Sequence, residues 1–315
     1  MIRPAFLVTI DTEGDNLWSR PRVVTTRNAE YLPRFQALCE KYGLKPTYLT
    51  SWEMVYSPAF RELGRDLLAR RTGEIGMHLH AWNSPPLAPL TADDDRYQPF
   101  LIDYPEDQMR EKVKVLTSEL EDTFEVTMVS HRAGRWSFNE TYARILVDHG
   151  YRVDCSVTPH VSWASILGDP NGNGGTDFSR FPDTAYFVDL NDIRRPGGSP
   201  LLELPMTIVP PSYQGVPAGR FFPSCLWLRP TRRNRKTLLY ILSIARQEQR
   251  SYVEFMLHSS ELMPGGSPTF PSRESIEALY DALEALFTAA QDVFEGYTLS
   301  DYYVHLAPEI YQPPS

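Results

Sequence analysis

Acidic, histidine and arginine residues follow four short apolar runs in this chain. The four groups are Asp11 to Asp15, His78 with His80, His131 with Arg132, and His258. Because the carboxyl ends of parallel strands meet at one edge of an α/β sheet, these groups can converge on a single site. A carboxylate and two histidines are the usual protein ligands of a catalytic zinc ion. The pattern therefore predicts metal-assisted hydrolysis.

The first two groups contain the candidate metal ligands. The run 5–10 predicts a strand that is buried on both faces. Side chains alternate along a strand, so Asp11 and Glu13 share one face if the strand continues, and His78 and His80 share one face of theirs. One acid can then accept a proton as a base while the other binds the metal. Two imidazoles favour zinc over magnesium, with cobalt, nickel, iron and manganese as alternatives.

Other interpretations of these residues stay open. Two histidines separated by one residue are also typical of a hydrogen-bonded core, but their occurrence together with an acidic strand end and His258 favours the metal site. Asp15 stands beside Gly14 and is better explained as a turn residue than as a ligand.

Arg132 and His258 are candidate partners of the base. The guanidinium of Arg132 can hold Asp11 ionised through a bidentate contact, although a structural salt bridge fits this residue equally well. His258 ends the apolar run 253–257 and is suited to protonate a leaving amine as a general acid. The predicted site has three catalytic and three metal-binding residues, namely Asp11, His258 and Arg132, and Glu13, His78 and His80.

Strand-like and helix-like segments alternate along the chain. Strands are predicted at 5–10, 47–50, 74–80, 127–130, 152–157, 201–208 and 253–258, and helices at 28–42, 58–71, 105–124, 139–149, 235–249 and 273–294. This alternation predicts a mainly parallel α/β sheet, closed into a barrel of about seven or eight strands. A barrel of this kind commonly forms one domain, so we expect a single domain over 1–315. The last helix should begin after an N-cap at Ser272 and pack on the outside of the barrel.

Two connections exceed the usual few residues. They are 81–104, which follows the histidine pair, and 164–200, which contains a glycine-rich run. Loops of this length in a compact domain are typical of lids over a functional site, with disorder as the competing explanation.

The charge of the chain argues against nucleic acid as its main partner. The formal net charge of the 315 residues is −9, whereas phosphate backbones are bound by basic surfaces. A basic run does occur at 229–236, ahead of a predicted helix. A solvated helix start explains this run better than contact with phosphate or anionic lipid does.

Cysteine usage and the N-terminal sequence predict a cytoplasmic protein. Cys39, Cys155 and Cys225 contain no Cys-x-x-Cys pair and are expected to be buried, reduced thiols. The first residues lack the pattern of a signal peptide, and no segment has about 18 uninterrupted apolar residues.

The first two motifs resemble those of the polysaccharide deacetylases, carbohydrate esterase family four. The family's first motif is an aspartate base followed by a metal-binding aspartate. Thr-Ile-Asp-Thr-Glu resembles it, with Asp11 as the base and Glu13 two positions later as the ligand. The second motif has two ligand histidines four residues apart after Ile-Gly. His78 matches the first histidine, but position 82 is Trp82, which leaves His80 as the nearby candidate for the second ligand.

The later motifs extend the resemblance to about residue 270. Arg-Ala-Gly-Arg-Trp, beginning at Arg132, resembles the third motif, whose arginine pairs with the base. The Leu-His pair ending at His258 resembles the fifth motif. The fourth is matched only loosely by 153–159, so the resemblance assigns no catalytic role to Asp154.

The resemblance implies a distorted (β/α) barrel that uses a divalent metal to remove acetyl from N-acetylated sugars. The implied partner is an N-acetylated sugar or oligosaccharide in cell-surface polysaccharide biosynthesis, with no transmembrane segment and peripheral membrane contact as an option. The altered metal motifs keep two alternatives open, a metal-free C–N hydrolase on the same barrel and a noncatalytic carbohydrate-binding protein. Trp82, Trp136 and Trp163 can either stack on sugar rings or cap the barrel.

Overall fold

The computed structural model describes residues 3–210 and 225–306. Strands in these ranges are β1 (Ala5–Thr12), β2 (Pro46–Thr50), β3 (Glu74–Leu79), β4 (Ser130–Ala133), β5 (Val153–Asp154), β6 (Tyr186–Asp189), β7 (Asp192–Pro196), β8 (Leu202–Glu203), β9 (Ile208–Val209), β10 (Leu226–Trp227), β11 (Tyr252–His258) and β12 (Glu295–Tyr297). Helices are α1 (Leu32–Lys41), α2 (Trp52–Val55), α3 (Pro58–Arg70), α4 (Asp94–Tyr97), α5 (Glu106–Phe124), α6 (Glu140–Asp148), α7 (Arg235–Gln247), α8 (Arg273–Gln291) and α9 (Leu299–Leu306). None of these helices is both long enough and apolar enough to span a membrane.

Seven parallel strands form the centre of the structure. Their order is β11-β1-β2-β3-β4-β5-β8, with β12 parallel to the first part of β1. The antiparallel hairpin β6–β7 extends the sheet beyond β8. The sheet curls into a half-barrel, which confirms the predicted α/β fold with a distorted (β/α) barrel of about seven strands.

β1 is an interior strand of the sheet, paired with β11, β2 and β12, as its apolar and partly β-branched sequence predicts. All eight of its residues are buried, as expected for a strand covered on both faces. Phe6 of β1 packs edge-on against Phe287 of α8 at a ring-centroid distance of 5.9 Å, and Phe255 of β11 contacts the same ring at 6.0 Å. The N-cap of α8 is Ser272, whose side chain accepts the Ser275 N–H, as predicted.

Two strands contain polar residues that the prediction left outside them. β1 extends beyond the predicted end at residue 10 and includes Asp11. β4 begins at Ser130, where the predicted strand 127–130 ends, and includes Arg132. Strand pairing places Asp11 beside His258 of β11, and His78 of β3 beside Arg132 of β4. The predicted boundaries of these two strands were wrong because buried polar side chains can form hydrogen bonds with one another across a barrel. Hydrophobic periodicity does not detect such pairs.

The barrel is distorted between β8 and β11. The predicted strand at 201–208 divides into β8 and β9, with Pro205 between them, because proline has no N–H to donate to a neighbouring strand. Thr207 bridges the opening. Its Oγ1 accepts the Glu254 N–H of β11 at 2.8 Å, and its carbonyl oxygen accepts the Leu228 N–H at 3.0 Å.

The two long connections differ in structure. The connection 81–104 is anchored by buried Lys112 of α5, whose ammonium donates to three carbonyl oxygens in the first part of that connection. The expectation of a loop at 164–200 was wrong for 186–196, which form the hairpin β6–β7. Pairing with β8 stabilises this hairpin, and such an edge contact leaves no periodic signal in the sequence.

Candidate active site

The ends of β1, β3 and β11 open into one cavity of about 310 Å³. Five of the six predicted site residues line this cavity: Asp11, Glu13, His78, His80 and His258. The sixth, Arg132, is fully buried and contacts Asp11. The fold therefore brings all six predicted residues together.

Glu13, His78 and His80 form a buried group whose ligand atoms lie within 4.8 Å of one another. Oε2 of Glu13 is 2.8 Å from Nε2 of His80 and 3.6 Å from Nε2 of His78. Nδ1 of His78 lies 3.0 Å from the carbonyl oxygen of Arg132. When Nδ1–H donates to that oxygen, the Nε2 lone pair of His78 is directed towards Glu13.

This donor set fits a divalent transition-metal ion. One carboxylate and two imidazoles are ligands that zinc takes in catalytic sites. Nδ1 of His80 is buried without a hydrogen-bond partner in the described ranges, so Nε2 is the nitrogen that faces the group. Trp82 packs against the His80 ring at a centroid distance of 4.4 Å. The three residues can therefore hold a metal without a ligand at position 82.

Nearby charges and burial together affect the protonation of Glu13 and His80. Burial opposes the charged form of Glu13, but His258, His78 and His80 outweigh burial and lower the pKa of Glu13 well below its usual value. Burial lowers the pKa of His80. An ionised Glu13 and a neutral His80 are the forms in which these residues bind a metal.

Arg132 connects two carboxylates inside the barrel. Its Nη1–H donates to Oδ1 of Asp11 at 2.5 Å, and its Nη2 donates to Oε1 of Glu254 and to Oγ1 of Thr9. The predicted bidentate contact with Asp11 was wrong, because the guanidinium divides its donors between acids on β1 and β11. Burial raises the pKa of Asp11, but Arg132 and the nearby histidines lower it further, so Asp11 is ionised.

His258 lies at the end of β11 with Nε2 directed at two carboxylates. Nε2 is 3.7 Å from Oδ2 of Asp11 and 4.0 Å from Oε1 of Glu13. Nδ1 is 3.3 Å from Oε2 of Glu261, which also accepts the His258 N–H at 2.9 Å. Trp18 packs edge-on against the ring at a centroid distance of 4.8 Å. These contacts hold the imidazole in one orientation.

Two acids close to the motifs serve other purposes. Asp15 accepts the Thr25 hydroxyl at 2.7 Å, in agreement with a turn residue. Asp154 accepts a hydrogen bond from His131 at 2.6 Å. Successive residues of a strand point to opposite faces, so His131 points away from the face that Arg132 uses. The expectation that all four polar groups converge was therefore wrong for His131.

Three ionisable residues of the site escaped the sequence-based prediction. Glu261 follows His258 by three residues within one turn, a spacing that could have identified it. Glu254 is the lone acid of the apolar run 253–257, and a buried acid needs a cationic partner. Arg229 was interpreted as part of a solvated helix start, but it lines the cavity and pairs with Glu261 at 3.1 Å.

Aromatic side chains form much of the cavity wall: Trp18, Trp82, Phe100, Trp136 and Trp163. Trp136 and Trp163 both contact Trp227, at centroid distances of 5.9 and 6.3 Å. Nε1–H of Trp163 donates to Oγ1 of Thr158 at 2.9 Å. The predicted tryptophans thus pack against their neighbours and also present surface to the cavity.

No model of a protein family matches this sequence, and no curated protein matches it. Solved structures match it in fold. A provisionally assigned polysaccharide deacetylase from Mycobacterium smegmatis has a TM-score of 0.58 and 15% identity, covering 100% of this chain and 94% of that one. A provisionally assigned glycoside hydrolase/deacetylase from Parabacteroides distasonis has a TM-score of 0.64 and 10% identity, covering 99% and 73%.

A third similar structure is the 4-alpha-glucanotransferase from Thermococcus litoralis. Its TM-score is 0.56 at 15% identity, and the match covers 97% of this chain and 41% of that enzyme. The chain therefore has the fold of the polysaccharide deacetylases in a divergent form. Because a similar fold also occurs in a glucanotransferase, the reaction must be argued from the residues of the site.

Proposed function

We propose that this protein is a metal-dependent hydrolase that removes the acetyl group from an N-acetylated sugar. The observation that carries the proposal is the position of Asp11 and His258 in the cavity that contains the Glu13, His78 and His80 group. Oδ2 of Asp11 lies 3.9 Å from Nε2 of His78, and Nε2 of His258 lies 4.0 Å from Oε1 of Glu13. A deacetylase needs a base and an acid beside its metal site, and the resemblance in fold supports the same reaction.

The metal would be held by Glu13, His78 and His80, with zinc as the proposed ion. A divalent ion bound there would polarise the acetyl carbonyl and stabilise the negative charge that develops on its oxygen. The backbone at Glu13 is fixed by protein contacts, because Asn28 Nδ2 and Ser259 Oγ donate to its carbonyl oxygen at 2.7 and 3.0 Å.

In the proposed reaction, Asp11 accepts a proton from the attacking water. Its Oδ1 is occupied by Arg132, whereas Oδ2 accepts no hydrogen bond from the described residues. Arg132 therefore keeps the carboxylate ionised and leaves one oxygen available to substrate water. As the water oxygen bonds to the acetyl carbon, its proton passes to Oδ2 of Asp11.

In the proposed reaction, His258 gives a proton to the leaving nitrogen. Its Nδ1–H can donate to Glu261, which leaves Nε2–H for the substrate. Protonation at nitrogen allows the C–N bond to break, so that water and the amide yield acetate and a free amine. Nε2 is 3.7 Å from Oδ2 of Asp11, so the proton acceptor and the proton donor face the same reacting group.

Metal analysis and acetate release together test the proposal. Protein purified without chelator should contain about one equivalent of a transition metal, and it should release acetate from N-acetylglucosamine or its oligomers. His78→Ala should lose the metal and the activity. His149→Gln is the matched control, because the hydrogen bond that this half-buried imidazole makes with the described residues is to the Ile145 carbonyl oxygen, at 2.8 Å, away from the cavity.

The two alternatives give different results in the same assays. Absence of metal after reconstitution, with hydrolysis of cyclic ureides or formyl amides, would establish the metal-free hydrolase. Glycan binding without acetate release, with affinity unaffected by His258→Ala, would establish the noncatalytic sugar binder.

We also propose that the enzyme acts in the cytoplasm during cell-surface polysaccharide biosynthesis. A cavity of about 310 Å³ is at the small end of ligand sites and suits one or a few sugar units. Deleting the gene should raise the acetyl content of the surface polysaccharide, and cell fractionation should recover the protein with the cytosol. An unchanged polysaccharide would contradict the biosynthetic role.

A further inference from the structure

Arg135 lines the cavity on the short turn that follows β4. Its backbone φ of 55° lies in the left-handed region, as does the φ of 63° at Trp136. Residues other than glycine rarely adopt this conformation, because their Cβ atom clashes with the backbone there. The surrounding structure therefore holds Arg135 in a conformation that its own backbone does not favour.

Among the described residues, the hydrogen-bond acceptors of the Arg135 guanidinium are all backbone carbonyl oxygens. Its Nη1 donates to the carbonyl oxygens of Tyr97 and Gln98, and its Nη2 donates to that of Leu167 at 3.4 Å. The Nε–H and the second Nη2–H have no acceptor in the described ranges. Nε and Nη2 lie on one edge of the guanidinium, and this edge can bind a carboxylate or a phosphate in a bidentate manner. The guanidinium lies 4.2 Å from the centroid of the Phe100 ring, which restricts its orientation.

No carboxylate of the described residues forms an ion pair with Arg135. Among the described residues, Asp103 is the acid whose charge acts on Arg135, and its Oδ2 already accepts the N–H groups of Phe100 and Asp169 at 2.8 and 3.2 Å. Burial lowers the pKa of Arg135 to about 10, so the side chain is still charged at neutral pH. A partly buried charge without a counter-ion is unfavourable, and a bound anion would remove that penalty.

Two further arginines add positive charge near Arg135 and the cavity. Arg20 lowers the pKa of Arg135 by charge repulsion and donates to the carbonyl oxygen of Arg96, beside the carbonyls that Arg135 contacts. Arg229 lines the cavity itself; it is paired with Glu261, but its Nε is buried without a partner in the described part of the chain. Arg20 and Arg135 thus group positive charge beside the cavity, and such charge attracts anions.

We propose that the sugar substrate carries an anionic group, either a carboxylate or a phosphate, which Arg135 binds through its Nε–H and Nη2–H edge. This inference rests on the proposed function, because it names the class of sugar that the same cavity takes. The tryptophans of the cavity wall contact the sugar ring, and Arg135 selects for the charge.

Calorimetric titration of the metal-loaded Asp11→Asn variant tests the inference without turnover. The probes are N-acetylglucosamine, its 6-phosphate, its 1-phosphate, and the analogue in which C6 is a carboxylate. At least one anionic probe should bind about 10-fold more tightly than the neutral sugar, as a charge-assisted bidentate pair allows. The probe with the largest preference distinguishes a carboxylate from a phosphate.

Substitutions at Arg135 identify the source of that preference. In Arg135→Gln the ratio of neutral to anionic dissociation constants should fall towards one, and in Arg135→Lys it should be intermediate, because lysine keeps the charge but lacks the fork. Arg144→Gln is the control. Arg144 is exposed and donates to the Leu190 carbonyl oxygen at 2.7 Å, outside the cavity. A purely structural Arg135 would change the melting temperature but not this ratio.

The outcomes separate this inference from the proposed function. Equal binding of neutral and anionic sugars, no binding of any probe, or a preference that persists in Arg135→Gln would each overturn anion recognition by Arg135. Acetate release from the neutral sugar alone would leave the deacetylase proposal standing. Suppose instead that the anion preference depends on Arg135 but the wild-type protein releases no acetate. That result would support the inference and contradict the proposed deacetylase function.

Discussion

Two buried clusters in this barrel combine histidines with carboxylates, and they differ in what their nitrogen and oxygen atoms contact. The open cluster lines the cavity and consists of Asp11, Glu13, His78, His80 and His258. The closed cluster lies on the other face of β4 and consists of His131, Tyr142, Asp154 and Ser156. Both arise from polar residues at strand ends, so the sequence patterns look alike.

Histidine contacts distinguish the two clusters. Both ring nitrogens of His131 have partners, with Nδ1 at 2.6 Å from Asp154 and Nε2 at 2.7 Å from the Tyr142 hydroxyl. His78 uses Nδ1 on a backbone carbonyl and keeps Nε2 at 3.6 Å from Glu13. A histidine with two protein partners has no lone pair left for a ligand, whereas His78 does. Unused donors and acceptors therefore mark the site better than burial or residue type.

Asp11→Asn should have the largest effect on activity. The amide can keep Oδ1 on Arg132, but it cannot accept a proton at the position of Oδ2. We expect kcat to fall about 10³-fold with little change in the melting temperature or the metal content. Acetate release and elemental analysis measure the two quantities. Activity near that of the wild-type protein would remove Asp11 from the role of base.

Gly134→Ala should weaken the metal group by displacing His80. A Cβ at this position would lie 2.4 Å from the carbonyl oxygen of Leu79 and 2.7 Å from Nδ1 of His80. We expect metal affinity to fall about 10- to 100-fold, as it does when the support of a ligand is lost. Competition with a chelating dye measures it. Gly198→Ala is the control, since no heavy atom of the described residues, its chain neighbours apart, lies within 4 Å of its Cβ position. An equal loss in both variants would contradict the explanation.

Asp154→Asn should reverse the pattern expected for Asp11→Asn. Oδ1 of Asp154 accepts from His131 and from the Ser156 hydroxyl, and Oδ2 accepts the Ser156 N–H. In one orientation the NH₂ group of an asparagine would face the donors of His131 and the Ser156 hydroxyl, and in the other it would face the Ser156 N–H. Either orientation therefore places a donor against a donor. We expect the free energy of unfolding to fall by about 1–3 kcal/mol, with activity of the folded protein within a few-fold of wild type. Urea unfolding measures the loss, and abolished activity at full stability would contradict the structural role.

The loss of stability in Asp154→Asn should also depend on pH. Burial opposes ionisation of Asp154, but the hydrogen bond from His131 lowers its pKa below 3.8. A carboxyl group with a lower pKa in the folded state contributes stability above the pKa of the unfolded chain, and this contribution is lost as the pH falls through the folded-state value. The difference in the free energy of unfolding between variant and wild type should have its full size at pH 7 and should shrink below pH 3.8. A constant difference would count against this account.

Glu261→Gln should have the smallest effect on the chemistry. Glutamine can still accept from His258, but it removes the charge that pairs with Arg229 and supports the imidazolium. We expect kcat to fall about 10-fold, at the lower end of effects for supporting residues, with KM nearly unchanged. Steady-state kinetics separate the two parameters. A change confined to KM would assign Glu261 to substrate binding.

Much of the site could be predicted because its residues follow recognisable strands. Asp11 and Glu13 stand at the end of an apolar run, and His78 and His80 share the period of a strand. Glu254 escaped prediction because its partner, Arg132, is brought close only by the fold, whereas Glu261 was missed although its spacing from His258 is local. Single-domain organisation over 1–315, and the role of 81–104 and 164–200 as lids, stay predictions.

The residue types alone determined the α/β alternation, the acid and histidine donor set and the strands that carry it, because hydrophobic period and motif spacing are local properties of a chain. The tertiary structure decided which polar groups meet. Arg132 reaches Asp11 across 121 positions of sequence, whereas adjacent His131 turns to the other face of β4. Such pairings depend on strand order and register, which follow from the packing of the whole barrel.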